Sequence, residues 1–156
     1  DAFDHCLPVF EAMGKNVNLI GDHGAGQTTK ACNQIAVAGA NLAMAEALML
    51  AAASELDVQK VLDAISGGAA GSWQMTNLGP RIVKGDFAPG FMVRLQQKDL
   101  KLVLEAANDV KLAVPGVSLA HQYFNIVERM GCADEGTQAL IKAYEAQAGC
   151  EARASD

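Results

Sequence analysis

The sequence predicts an all-α domain built round one long central helix and preceded by a short helix and one short strand. Of its 156 residues 51% are hydrophobic but only 5% aromatic, so the apolar mass is mainly alanine, leucine, valine, isoleucine and methionine. That composition packs as close helices more readily than as a β-sandwich. From Ala31 to Ala53 the chain carries helical patterning with a single charge, Glu46. Beyond it, Gly and Pro punctuation falls at intervals of helix length. The length suits one ordinary domain with a real core.

Element by element, Pro8 suits a helix start, and Val9-Phe10-Glu11-Ala12-Met13 reads as a short helix closed by Gly14. Asn16-Val17-Asn18-Leu19-Ile20 alternates polar and β-favouring residues and reads as a strand. A lone strand forms no sheet, which hints at a larger α/β domain ahead of it. The long helix is expected over 27–54. A second fits 57–65, with Asp57 as N-cap before Val58, Val61, Leu62 and Ile65. Ser66 to Gly71 is a glycine-rich break, and 72–78 a short helix carrying Trp73 to the core. A loop over 84–90 leads into a helix over 91–108. Pro115 opens another, reaching Met130 and ended by Gly131, and the last spans 137–148.

Net charge is −6 and the basic residues are scattered, which argues against a nucleic-acid surface. No lysine/arginine cluster precedes an apolar run, so no secretory signal is expected and the expected location is cytoplasmic. The run Ile35–Ala53 approaches the ~18 residues that span a bilayer. It contains Gly39, Asn41 and Glu46 and is dominated by alanine, so it reads as a buried helix of a soluble domain. Cys6, Cys32, Cys132 and Cys150 form no CxxC pair and have no histidine at ligand spacing, so no metal is expected.

The chemistry-bearing stretch is Gly21-Asp22-His23-Gly24-Ala25-Gly26-Gln27-Thr28-Thr29-Lys30-Ala31-Cys32-Asn33. Gly21 and Gly26 match the opening of a P-loop, but Gln27 stands where its lysine belongs. The glycine order also differs from GxGxxG. The stretch is either a flexible crossover or a turn that lets another group approach the backbone. Lys30 follows at the head of the long helix, where the helix N-terminus already carries partial positive charge. It is either a solvated lysine or one held for chemistry. Asn33 and Gln34, three and four residues on, share its face. One cation and two amides there could orient a hydroxyl or carbonyl together with a carboxylate. A lysine beside apolar surface serves as a general acid or base when its pKa is depressed.

Lys98-Asp99-Leu100, after Phe91, would be a charged pair near a helix start, where a solvated face is the ordinary reading. His5, His23 and His121 are scattered and read as structural or solvent-facing.

These residues, taken in order, resemble the C-terminal part of the β-hydroxyacid dehydrogenase family. That family includes 3-hydroxyisobutyrate dehydrogenases, tartronate semialdehyde reductases and, more distantly, 6-phosphogluconate dehydrogenase. The resemblance rests on Met13-Gly14, on Gly21-xx-Gly24-x-Gly26-xxx-Lys30-xx-Asn33, on Ala45-Glu46-Ala47-Leu48, and on Phe91 with Lys98-Asp99-Leu100. It runs to about residue 145, and Gln27 to Lys30 with Asn33-Gln34 looks nearest to the tartronate semialdehyde reductases. It implies a fold like the C-terminal domain of 6-phosphogluconate dehydrogenase over 22–156, with 1–21 the end of an NAD(P)-binding Rossmann domain.

The same resemblance implies Lys30 as general acid/base and Asn33, Gln34 and Gly24 as substrate contacts. Lys98 and Phe91 would lie toward the NAD or NADP nicotinamide, and Asp99 would fix the local helix. Some members place the substrate amide four residues after the lysine, so Asn33 and Gln34 both stand as candidates. The implied activity is reduction or oxidation of a small hydroxy acid/semialdehyde pair. The family's dinucleotide fingerprint, acidic ribose residue and substrate loop would lie in the preceding domain. These 156 residues alone are therefore expected to bind cofactor weakly and to turn nothing over. The long helix is apolar enough to expect a partner subunit, in a dimer or tetramer. The competing reading is a helical oligomerisation module that keeps the fold without catalysis.

Overall fold

In the computed structural model, residues 2–154 are described. Among them run α1 (Ala2–Met13), α2 (Ala25–Ala53), α3 (Val58–Ser66), α4 (Trp73–Asn77), α5 (Gly79–Val83), α6 (Val93–Asp109), α7 (Pro115–Arg129), a 3₁₀ turn (Thr137–Leu140) and α8 (Ile141–Ala148). The β-type pairing among the described residues is one antiparallel bridge between Met92 and Gly136.

The 29-residue α2 is the axis of the domain, touching α3, α4, α6, α7, α8 and the 3₁₀ turn. Its buried positions, Gln34, Ala38, Asn41, Leu42, Ala45, Leu48 and Met49, recur every three or four residues, as one helix face requires. Small residues along this face let neighbouring helices approach closely. The helix is long and apolar enough by composition to cross a membrane, yet 44% of its most apolar stretch is buried within this domain. It is a core helix.

Two clusters make up the core. Met44, Leu48 and Ala51 of α2 pack with Leu62, Met75, Ile82 and Ile141. Ala38 and Leu42, higher on α2, pack with Val93, Leu100, Val103, Ala120, Phe124 and Leu140. Phe87 and Tyr144 border both clusters. The loop over 84–90 that carries Phe87 is held by Arg81. Its Nε donates to Asp86 Oδ2 at 2.8 Å and its Nη2 to Asp86 Oδ1 at 3.1 Å. The Ala88 amide also donates to Asp86 Oδ1, at 2.9 Å. This fork fixes the approach to Phe91 and α6.

Local signals transferred well. The Asp57 side chain caps α3 by accepting from the Lys60 amide at 3.1 Å, and the long helix begins two residues before the expected Gln27. Four expectations are corrected. Residues 16–20 form no strand, because a strand needs a neighbouring edge to bond and the described residues supply none. Pro8 lies inside α1 rather than at its start. Phe3 and Phe10, on either side of it in the sequence, lie 6.1 Å apart between ring centroids. Gly79-Pro80 opens the additional helix α5 instead of ending a segment, since proline fits a helix's first turn. The segment 137–148 divides into the 3₁₀ turn and α8.

Candidate active site

The N-terminal third of α2 projects beyond the core, and Ala25 to Asn33 has no buried residue. Gly24 stands at its N-cap with φ 94°, a left-handed conformation that glycine adopts without Cβ strain. The Gly24 carbonyl accepts from the Thr28 amide at 3.0 Å, and the Thr29 hydroxyl bonds the Ala25 carbonyl at 2.9 Å. These bonds set the first turn, from which Lys30 extends, exposed. Its ammonium makes no ion pair among the described residues.

An open groove of about 570 Å³ runs beside this helix end. Lys30, Asn33 and Gln34 form one wall, and Trp73, Gln74 and Phe91 stand in the others. Lys30 and Gln34 also face a smaller groove of about 240 Å³, with Asp99 and Leu102 across it. The three polar residues singled out on α2 and Phe91 are thus brought together. Gly24 lines neither groove; its part is the turn that starts the helix.

Gln34 and Asn33 differ sharply despite adjacency. Gln34 is 3% exposed and both ends of its amide are engaged. Its Nε2 donates to Asp99 Oδ2 at 2.6 Å, and its Oε1 accepts from Asn33 Nδ2 at 3.0 Å. Asn33 is exposed to the groove. Asp99 corrects the expectation of a solvated charged pair near a helix start. It is the seventh residue of α6, its side chain is only 12% exposed, and it ties α6 to α2 rather than its own helix. The 2.8 Å ion pair from Lys98 and the Gln34 donor compensate for removing this carboxylate from water. Lys98 itself is 64% exposed and lines neither groove, reaching the site through Asp99.

Trp73 is the residue that sequence reasoning misplaced. Expected in the core, it is 65% exposed and lines the groove opposite Lys30 and Asn33. It is the first residue of a five-residue helix, capped by Ser72, whose hydroxyl accepts from the Met75 amide at 3.0 Å. So short a helix after a glycine-rich loop buries one face, and Gln74 and Met75 occupy it. That position was the available signal.

Residues 24–144 match the family model described as "NAD-binding of NADP-dependent 3-hydroxyisobutyrate dehydrogenase". The chain belongs to this family. It is 38% identical over 146 residues to 2-hydroxy-3-oxopropionate reductase of Escherichia coli, a match covering 94% of this chain and 50% of that protein. It is 44% identical over 149 residues to probable 3-hydroxyisobutyrate dehydrogenase-like 1, mitochondrial, of Arabidopsis thaliana, covering 96% and 44% respectively. The crystal structure of 3-hydroxyisobutyrate dehydrogenase from Salmonella typhimurium superposes with a TM-score of 0.84 at 34% identity, covering 90% of this chain and 50% of that one. The chain therefore spans about half the length of these relatives.

Within this family domain the remaining ionisable groups lie away from the groove. His121 Nδ1 contacts Gln97 Oε1 at 2.7 Å, and Gln97 Nε2 donates to Asn125 Oδ1 at 2.7 Å. Since that amide spends its nitrogen on Asn125, the histidine must donate from Nδ1. Burial, helped by the charge of Lys101, lowers the His121 pKa. Burial likewise raises the Cys132 thiol. The four cysteines are free thiols, and among the described residues no group of three or more His, Cys, Asp or Glu is placed to hold a metal ion.

Proposed function

We propose that this chain is the helical C-terminal domain of an NAD(P)-dependent oxidoreductase interconverting a small 3-hydroxy acid and its semialdehyde, with Lys30 as general acid/base. The tartronate semialdehyde/glycerate and 3-hydroxyisobutyrate types are the pairs its relatives suggest. The observation that carries the reading is the open groove lined together by Lys30, Asn33, Trp73 and Phe91. Carbonyl reduction needs a proton at oxygen as hydride reaches carbon. An ammonium beside the carbonyl supplies the proton and stabilises developing alkoxide charge. The amide-bearing Asn33, rather than buried Gln34, is the substrate amide in this reading. The exposed first turn of α2 favours a substrate carboxylate.

The groove also suits a nicotinamide edge. The exposed indole of Trp73 and ring of Phe91 offer apolar faces to a planar ring. When bound, the nucleotide supplies or removes the hydride; this chain's residues position the substrate and move the proton. Lys30 is the one cation among the described residues that line the groove, and in this reading the preceding domain holds the pyrophosphate. Residues 1–21 in this reading close a preceding Rossmann domain and 22–156 form the catalytic helical domain, of the type found at the C-terminus of 6-phosphogluconate dehydrogenase. The helix α1 supports this division, since it buries no residue and exposes Val9, Phe10 and Met13. A cytoplasmic homo-oligomer, dimer or tetramer, completes the reading, and the chain alone would be inactive.

The test is Lys30→Ala in the full-length protein. Reduction of tartronate semialdehyde should fall by at least about 10³-fold while nucleotide affinity by fluorescence titration stays within about twofold. Turnover that survives the substitution would remove Lys30 from the mechanism, whereas an unsubstituted protein without turnover would favour the oligomerisation module.

A further inference from the structure

We infer that Gln74 and Thr137 form a second binding subsite toward the end of the groove away from Lys30. It takes an uncharged hydrogen-bonding group, an amide or a hydroxyl, carried on a chain that branches from C2 of the substrate. The inference rests on the substrate groove proposed above and goes further, to a part of the substrate beyond the reacting carbon and its carboxylate.

The α2 residues that line the groove run from Lys30 to Ala40, about 15 Å along a helix that rises about 1.5 Å per residue. A three-carbon acid, with bonds near 1.5 Å, spans only about 5 Å. Lys30 and Asn33 stand at one end, and Ala36, Val37 and Ala40 continue the wall as small or apolar side chains. Gln74 and Thr137 belong toward the Ala40 end. Met75, next to Gln74, is part of the core cluster whose α2 members begin at Met44. Leu140, one 3₁₀ turn after Thr137, is part of the cluster that holds Ala38 and Leu42. The Thr137 amide donates to the Phe91 carbonyl at 3.0 Å, which fixes this residue beside one aromatic wall. Gln74 directly follows the other, Trp73.

Gln74 is 9% exposed and Thr137 6%, and among the described residues neither side chain has a hydrogen-bond partner. Polar groups so placed without partners are uncommon, because each has given up hydration for nothing in return. Asn41 and Gln96 are also unpartnered, but their amides are sealed in the core, whereas the Gln74 amide and Thr137 hydroxyl keep contact with solvent. The groove that both residues line is the opening toward which those polar atoms turn. An amide and a hydroxyl each donate and accept, so a ligand amide or hydroxyl is satisfied whichever way the Gln74 amide is turned. A methyl in its place leaves both side chains unpartnered. A second carboxylate fares worse than an amide. Lys30, the one cation among the described lining residues, stands at the other end, so that charge would shed water without a counter-charge.

The experiment uses the full-length protein with its nucleotide. Calorimetry measures the Kd of three acids that share a 2-hydroxymethyl group and differ at the tip of the branch. They are 4-carbamoyl-2-(hydroxymethyl)butanoate, 2-(hydroxymethyl)pentanoate and 2-(hydroxymethyl)pentanedioate, ending in an amide, a methyl and a carboxylate. The wild type should bind the amide acid about tenfold more tightly than the methyl acid, and more tightly than the dicarboxylate. Gln74→Met and Thr137→Val each remove one polar group at nearly constant volume. Each should bring the amide-to-methyl ratio to within about threefold of unity, and the second covers a failure of the first to fold. The nicotinamide carboxamide is the other source of the same chemistry. Were it the occupant, both variants would weaken nucleotide affinity by fluorescence titration and leave the ratio between the acids unmoved. That outcome, a wild type without the preference, or a dicarboxylate bound as tightly as the amide acid would overturn the inference. Lys30→Ala separates the two readings: turnover that survives there removes the acid/base role alone, while loss of the amide preference in the Gln74 and Thr137 variants still upholds the subsite.

Discussion

Gln34 of α2 donates to Asp99 of α6 at 2.6 Å, joining two helices across 65 residues of sequence where both line the smaller groove. The contact is buried on the Gln34 side and nearly so on the other. Gln34→Glu therefore sets two carboxylates against each other in a poorly hydrated place. Folding stability at pH 7 should fall by about 3 kcal/mol. The folded state of this variant relieves the repulsion by binding a proton that the unfolded chain, with carboxyl pKa near 4, holds only in acid. The deficit should therefore shrink as pH falls toward about 4 and grow as it rises. Urea unfolding at pH 4.5 and pH 7.5 measures this, and an equal deficit at both would contradict it.

Trp73 offers the opposite case, a large side chain whose loss should cost function and not stability. Its exposed ring contributes little to the core, so Trp73→Ala should change stability by less than about 0.5 kcal/mol. The proposed site loses an aromatic wall, and KM for substrate or nucleotide should rise about tenfold. Thermal melting and steady-state kinetics on the same preparation give both numbers.

His121 makes stability depend on pH. Its ordinary pKa of 6.5 is lowered in the fold, first by burial and then by Lys101. The unfolded chain therefore takes up the proton first on acidification. Stability from this group is complete above about pH 6.5 and is lost as pH falls toward the folded value. His121→Gln keeps a donor for Gln97 and removes the titration. The slope of unfolding free energy against pH below 6.5 should flatten in that variant, and an unchanged slope would assign the effect elsewhere.

Gly79 is required for space rather than for backbone freedom. A Cβ there would lie 2.7 Å from one Leu62 methyl and 3.1 Å from the other, in the buried core under α3 and α5. Gly79→Ala should destabilise by about 1–3 kcal/mol through overpacking. In a Leu62→Ala background the same change should cost close to nothing, a coupling that a double-mutant cycle by denaturant unfolding reads directly.

The sequence alone determined the helical class, the long axis, the cap at Asp57 and the sharing of one face by Lys30, Asn33 and Gln34. All of these depend on bonds and spacings within a few residues, which helix geometry makes local. It also determined the family, through motifs spread in order along the chain. Only the tertiary structure decided that residues 16–20 pair with no strand, that Trp73 faces the groove, that Gln34 is buried while its neighbour is open, and that Asp99 reaches α2. Each of these depends on what stands opposite a side chain, and that is set by packing between elements far apart in the chain.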